Sequence, residues 1–219
     1  MHYLKAIHPI LIILAITFIH VSPSHANKVK VAHFSDGSLS GWEEKSFVGT
    51  TQYQFVRDEG HQVLEAVAEG TASGFFREIK IDLNKTPYIN WSWWIEETLQ
   101  GNDEKSKAGD DYPVRIYVVA SGGLFFWRTR AINYVWSGSQ VEGSHWPNAY
   151  TARAMMVAVR SGNALRGQWM QEKRNVYEDL KLLFGREITQ IDAVAIMSDA
   201  DNSGGRVRAR YGDIYFSAK

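Results

Sequence analysis

Apolar and polar residues alternate in short runs along most of this chain, and turn-forming residues separate the runs. Val29, Val31 and His33 alternate with Lys30, Ala32 and Phe34 before a turn at Asp36-Gly37. Residues 42–47 and 51–56 read as a hairpin around Gly49, and Asp58-Glu59-Gly60 leads into a strand over 61–67. Phe75, Arg77, Ile79, Ile81 and Leu83 share one side of the next strand. Pro87 then precedes YINWSWWI (88–95), where Trp91 and Trp93 share a face and Trp94 takes the other. VRIYVVA (114–120) is a further strand, Gly122-Gly123 separates it from residues 124–136, and 155–159 and 168–174 add two more. Period two over four to eight residues, bounded by Gly, Asn and Asp, is the strand signature.

The end of the chain is the most structured stretch. Ile191, Val194, Ile196 and Met197 form a buried strand, and residues 199–205 supply the Asp, Asn, Ser and Gly that turns use. Val207, Ala209, Tyr211, Asp213 and Tyr215 then share one face of a final strand. Aspartate is a poor strand former, so Asp213 there needs a partner. Residues 96–111 and 137–150 lack any period and read as loops. Helical spacing occurs once: Asn175 caps a segment in which Val176, Leu180, Leu183 and Phe184 recur, and Gly185 closes it. The pattern predicts an all-β fold, an antiparallel jelly-roll-like β-sandwich with one short helix, forming a single domain over residues 27–219.

Residues 1–26 stand apart. Lys5 is followed by an apolar run over 10–19, and Ser24-His25-Ala26 ends in the small residue that signal peptidase needs. The run is short for a permanent bilayer span, so the reading is a cleaved signal and a periplasmic or secreted protein with no stable membrane span; an uncleaved anchor is the other reading. Cleavage removes Lys5, leaving 23 basic against 24 acidic residues, a balance that does not fit a general nucleic-acid binder. It also removes four of the seven histidines. With no cysteine in the chain, stability rests on the core rather than on disulfides.

The candidate chemistry is carboxylate and aromatic. Asp199, Asp201, Ser203 and Gly204 match the first half of a calcium loop, but position twelve is Arg210 instead of a bidentate glutamate. A plain Asx turn is the alternative. Asp110 and Asp111 precede Arg115, and adjacent residues of extended chain point opposite ways. They read as an acid–base or metal pair, or as a structural ion pair with Arg115. Asp110, Asp111 and Glu172 are the catalytic candidates, with Asp199 and Asp201 as further carboxylates for a glycan-active hydrolase or lyase. Flat rings stack on sugar faces, and Trp136, His145 and Trp146 flank a glycine-containing loop, so with Arg115 they are the ligand-binding candidates. Core packing is the competing reading for the tryptophans.

Two resemblances follow from particular motifs. Phe34-Ser35-Asp36-Gly37 with Trp42, and Tyr211-Gly212-Asp213-Ile214, resemble the two chain ends of jelly-roll carbohydrate-binding modules, where the ends lie side by side and often share a structural calcium. This resemblance adds Asp213 to Asp199 and Asp201 as a metal candidate. KAGDDYPVRIYVV (107–119), WPNAY (146–150), QWMQEKRNVYEDLKLLFG (168–185), IDAVAIMSDADNSGG (191–205) and ARYGDIYF (209–216) together resemble the bacterial domain-of-unknown-function 3047 family. That resemblance implies an exported β-rich domain and transfers no catalytic residue. The functional expectation is a glycan-binding module with a structural calcium; a glycan-active enzyme and a structural envelope protein are the alternatives. N-terminal sequencing of protein from the native host is expected to begin at Asn27, and recovery of an intact Met1 form would contradict cleavage.

Overall fold

A computed structural model of the protein describes residues 28–124 and 126–219; the expected signal segment lies outside them. The described residues form fourteen strands and one α-helix. In chain order they are β1 (Lys28–Ala32), β2 (Glu43–Val48), β3 (Gln52–Asp58), β4 (His61–Glu69), β5 (Ala72–Asp82), β6 (Tyr88–Ile95), β7 (Arg115–Ala120), β8 (Arg130–Ser137), β9 (His145–Asn148), β10 (Thr151–Ser161), β11 (Met170–Asn175), α1 (Val176–Phe184), β12 (Gln190–Asp199), β13 (Arg206–Tyr211) and β14 (Ile214–Ser217).

Two seven-stranded sheets face each other. In the first, β6 pairs with β11 on one edge and with both β13 and β14 on the other; β4 and β3 continue outward from β13, and β1 from β14. The second runs β2-β5-β12-β7-β8-β10-β9. The fold is the expected β-sandwich with one helix. Its pairings are antiparallel except for β8 with β10, which run parallel because β9 forms the sheet edge and returns the chain to the outside of β8.

Alternation puts Trp91, Trp93 and Ile95 of β6 against Ile116 and Val118 of β7, Tyr134 and Trp136 of β8, and Val194 and Ile196 of β12 in one buried cluster. Aromatic contacts knit the two sheets: Trp91 stacks on Tyr134 at 5.4 Å, and Trp93 lies 6.2 Å from Trp136. The indole N–H groups of Trp93 and Trp136 donate to Glu172 Oε1 (3.2 Å) and Gly162 O (3.0 Å), which meets the cost of burying them. The helix is capped as its sequence predicts. Asn175 Oδ1 accepts from Glu178 N–H, and Gly185 closes the end at φ +63°.

Three expectations are corrected. Residues 42–47 and 51–56 are not a hairpin: β2 joins β5 in the second sheet, and β3 joins β4 in the first. Residues 137–150 are not all loop, because β9 occupies 145–148. The final strand is broken at Gly212-Asp213 into β13 and β14. There Gly212 N–H donates to Ser92 O at 2.9 Å, and a Cβ on Gly212 would collide with Ser92 Oγ. Any larger residue at the break would displace the Ser92 hydroxyl, so glycine suits it.

Trp136→Ala removes a fully buried indole from the middle of this core. It is expected to lower unfolding free energy by about 3–5 kcal/mol in a denaturant titration. Val141→Ala, at a side chain 76% exposed, is expected to change it by no more than about 0.5 kcal/mol.

Candidate functional site

The outer face of the second sheet is set by the same alternation. Gly74 and Phe76 of β5, Ala193, Ala195 and Met197 of β12, Tyr117 and Val119 of β7, and Asn133 of β8 are in register across it. Small and apolar side chains on β12 leave the centre of this face low. Three adjoining cavities result. One, lined by Lys45, Phe47, Phe76, Tyr117, Ala195 and Met197, shares Phe47, Tyr117 and Met197 with a neighbour of about 510 Å³ that reaches Asp110, Asn148, Tyr150, Asp199, Asp201 and Asn202. On its other side it shares Val119 and Ala193 with a cavity bounded by Lys80, Ser121, Gly123 and Asp192. Together they form a groove along β12 from Asp199 to Gln190, about 30 Å at the usual strand rise.

One end of the groove is built on a buried arginine. Arg115 is 3% exposed on β7, and its Nε donates to Asp199 Oδ1 at 2.8 Å while Nη2 reaches Asp199 Oδ2. Nη2 also donates to the Asp110 carbonyl, and Nη1 lies 3.5 Å from Asp110 Oδ2. The guanidinium sits over the Tyr112 ring at 4.5 Å. Tyr112 N–H adds a third bond to Asp199, at 3.1 Å. The loop before β7 is thereby fastened to the end of β12. Glu104 fastens its other half, accepting from Ser137 Oγ and Gly138 N–H at 2.5 and 2.6 Å. Tyr112 then covers a second apolar cluster on this face, made with Val135, Trp146, Met156 and Ala158.

Asp111 holds the turn after β12. Its two oxygens accept from Asn202 N–H (3.2 Å) and Ser203 N–H (2.6 Å). Carboxylate oxygens of Asp111, Asp199 and Asp201 all lie within 4.8 Å of one another. Burial raises the Asp199 carboxyl to about 7, against the pull of Arg115. Burial, followed by the neighbouring Asp111, raises Asp201, and burial raises Glu104. Desolvation works against the charge of Arg115, but Asp199, Tyr117, Asp110 and Tyr112 together outweigh it and hold that pKa above the ordinary value. Glu104, Asp110, Asp111 and Asp199 are buried and Asp201 half-buried, while Arg115 is the buried cation among them. Asp110 Oδ1, also buried, has no hydrogen-bond partner. Asp111, Asp199 and Asp201 could hold a metal ion through their oxygens.

The predicted residues therefore divide. Asp110, Asp111, Arg115, Asp199 and Asp201 converge at one end of the groove. Asp213 does not join them. It lies between β13 and β14, where its oxygens accept from Ser35 N–H (2.8 Å) and Ser35 Oγ (2.6 Å). The two chain ends do lie side by side, but Ser35 supplies the partner that Asp213 needs. Glu172 is also elsewhere: it lies inside the sandwich edge, bound by Arg160 Nε (2.7 Å) and Nη2 (3.0 Å). Trp136 and Trp146 are 0% and 4% exposed, so neither offers a face to a ligand; the reading of them as loop rings is corrected. His145 is exposed on the face of β9 opposite Trp146. The sequence reading missed Phe47, Phe76, Tyr117, Asn148, Tyr150 and Asn202 as groove residues. Tyr117 was visible as the polar-side aromatic of VRIYVVA, whereas the others lie on distant strands and turns that only the topology brings together.

The chain belongs to the family described as Protein of unknown function (DUF3047), which matches residues 40–215. No curated protein matches it in sequence. Among solved structures it is similar to the family 11 carbohydrate-binding module from Clostridium thermocellum in complex with a β-1,3-1,4-mixed-linked tetrasaccharide, at 10% identity and TM-score 0.45 over 89% of this chain and 97% of that one. It is similar to the family 30 module of a cellulosomal cellulase of Clostridium thermocellum, at 9% identity and TM-score 0.49 over 88% and 98%. It is also similar to a xyloglucanase domain of a type three effector from Sinorhizobium fredii in complex with cellobiose, at 8% identity and TM-score 0.43 over 90% and 100%.

Replacing Arg115 with Ala would leave the carboxylates of Asp110 and Asp199 buried without their cation. The expected cost is about 3–5 kcal/mol in a denaturant titration at neutral pH. Asn148→Ala, which removes a single donor to Asp110 at 3.1 Å, is expected to cost no more than about 1.5 kcal/mol.

Proposed function

We propose that the protein is an exported glycan-binding module that lays an extended sugar chain along the groove of the second sheet, with calcium at Asp111, Asp199 and Asp201. The observation that carries this reading is the continuity of the groove over the length of β12. A long, open channel suits a polymer, whereas a closed pocket would suit a terminal sugar or a small metabolite. Its walls carry both kinds of group that sugars use. Tyr117, Phe76 and the exposed rings of Phe47 and Tyr150 offer apolar faces, and Asn148, Asp201 and Asn202 offer polar atoms for hydroxyls. Calcium in the aspartate cluster would balance the surplus of carboxylates and tie the loop before β7 to the turn after β12.

A glycan-active enzyme is the second reading, favoured by one specific feature: Asp110, Asp199 and Asp201 face the same cavity. Hydrolysis by paired carboxyls needs two of them about 5–10 Å apart and free to act. Asp199 is taken by Arg115 and Tyr112 N–H, and Asp111 by two backbone N–H groups. The acid and base would therefore fall to Asp110 and Asp201.

A binding and hydrolysis screen against soluble polysaccharides separates the two. In the binding reading, Phe47→Ala and Tyr150→Ala each reduce affinity by about 1–3 kcal/mol, by analogy with base stacking on aromatic rings. Both rings are more than half exposed, so stability changes by no more than about 0.5 kcal/mol. In the enzymatic reading the screen detects cleavage, and Asp201→Asn abolishes it while binding persists. Affinity unchanged in both aromatic variants would remove the groove as the binding site.

A further inference from the structure

We infer that a divalent cation held by Asp111, Asp199 and Asp201 keeps coordination positions open toward the groove, and that paired hydroxyls of the ligand fill them. This rests on the glycan reading and deepens it: the ion becomes part of the binding site, and recognition becomes calcium-dependent.

The donor count is the first ground. Calcium takes six to eight oxygen ligands. Three carboxylates converge here, and two of them already spend lone pairs elsewhere. Asp199 accepts from Arg115 and Tyr112 N–H, and both oxygens of Asp111 accept backbone N–H groups. Even if each aspartate also ligated the ion, the shell would be incomplete, and water or ligand oxygens would complete it.

The direction of the open side is the second ground. Arg115 and Tyr112 N–H, both of buried residues, already occupy the Asp199 carboxylate. Asp201 is half-buried and lines the groove beside Asn202, whose Nδ2 reaches the Tyr150 hydroxyl at 3.4 Å. Open positions on the ion therefore face the place where the Tyr150 ring would meet a sugar.

The third ground is independent of the cluster. Asp110 is 4% exposed, lines the same cavity, and leaves Oδ1 without any donor. A buried carboxylate oxygen without a donor is costly, and a hydroxyl or water polarised by a nearby cation is the donor that would relieve it. The recognised chemistry is thus an uncharged, hydroxyl-rich ligand with vicinal diols. An acidic sugar would set its own carboxylate against Asp110 and Asp201.

Terbium in place of calcium tests this on the mature protein. Its luminescence decay in H2O and D2O counts coordinated waters, and the nearby Tyr150 and Tyr112 sensitise it. The expected result is a bound ion carrying about two or more waters, with the count falling when a cello-, xylo- or manno-oligosaccharide binds by calorimetry. Asp201→Asn, at a half-buried position, should weaken terbium binding at least about tenfold while the melting transition is retained. Absence of terbium binding to folded protein, a bound ion with no coordinated water, or an oligosaccharide that binds equally in chelator without changing the count would each overturn the inference. Open waters on the ion with no binding of any of the three sugars would sink the glycan reading and the hydroxyl ligation with it, while the ion site would stand.

Discussion

The buried guanidinium of Arg115 is the interaction on which the groove end depends. It projects from β7 on the outer face of the sheet, where water would otherwise hydrate it, yet it is 3% exposed. Burying a charge is costly unless it is paired and hydrogen-bonded. Asp199 at the end of β12 and the Asp110 side chain and carbonyl meet that cost, and the Tyr112 ring covers the plane. Each partner belongs to a different segment. Strand β7, strand β12 and the long loop before β7 are therefore held in one arrangement, and Asp111 extends the tie to the turn at 200–205. A loop of this length would ordinarily be loose; here it becomes one wall of the groove.

That arrangement leaves an imbalance. One guanidinium satisfies Asp199 and part of Asp110, while Asp111 and Asp201 lie close to Asp199 and neither is in an ion pair among the described residues. Like charges at this separation raise one another's pKa, and they are relieved by protons or by a metal. Asn148, Tyr150 and Asn202 gather at this same acidic end, where a fixed, partly desolvated set of acceptors calls for donors. At the other end the cavity is about 750 Å³, and its polar groups are Lys80, Ser121 and Asp192.

Much of the fold was legible because it follows local rules. The alternation of β6, β7 and β12 and the Asn175–Gly185 frame of α1 depend on residues a few positions apart, and each was found where the pattern placed it. The proximity of Asp110 and Asp111 to Arg115 was also local. What period two cannot say is which sheet a strand joins. Residues 43–48 and 52–58 look like a hairpin because only Gly49 and its neighbours separate them, but the turn carries the chain from one sheet to the other. Trp146 reads as a loop ring because β9 is four residues long and contains Pro147; Tyr112, folded over from a distant loop, joins Val135, Met156 and Ala158 in making it core. The union of Asp111 with Asp199 and Asp201 is of the same kind: the turn and the loop are some ninety residues apart, and sheet order alone joins them.

The central claim is that the outer face of the second sheet, with the aspartate cluster at its end, is where the protein meets its ligand. Methyl-selective NMR during titration with cello-, xylo- and manno-oligosaccharides tests it most directly, because Ala193, Ala195, Met197 and Val119 carry reporter methyls along the groove floor. The account predicts that these methyls shift together with calcium present, while Val67 and Ala66 in the first sheet stay unmoved. Shifts confined to the first sheet, or none on β12 while calorimetry records binding, would contradict it.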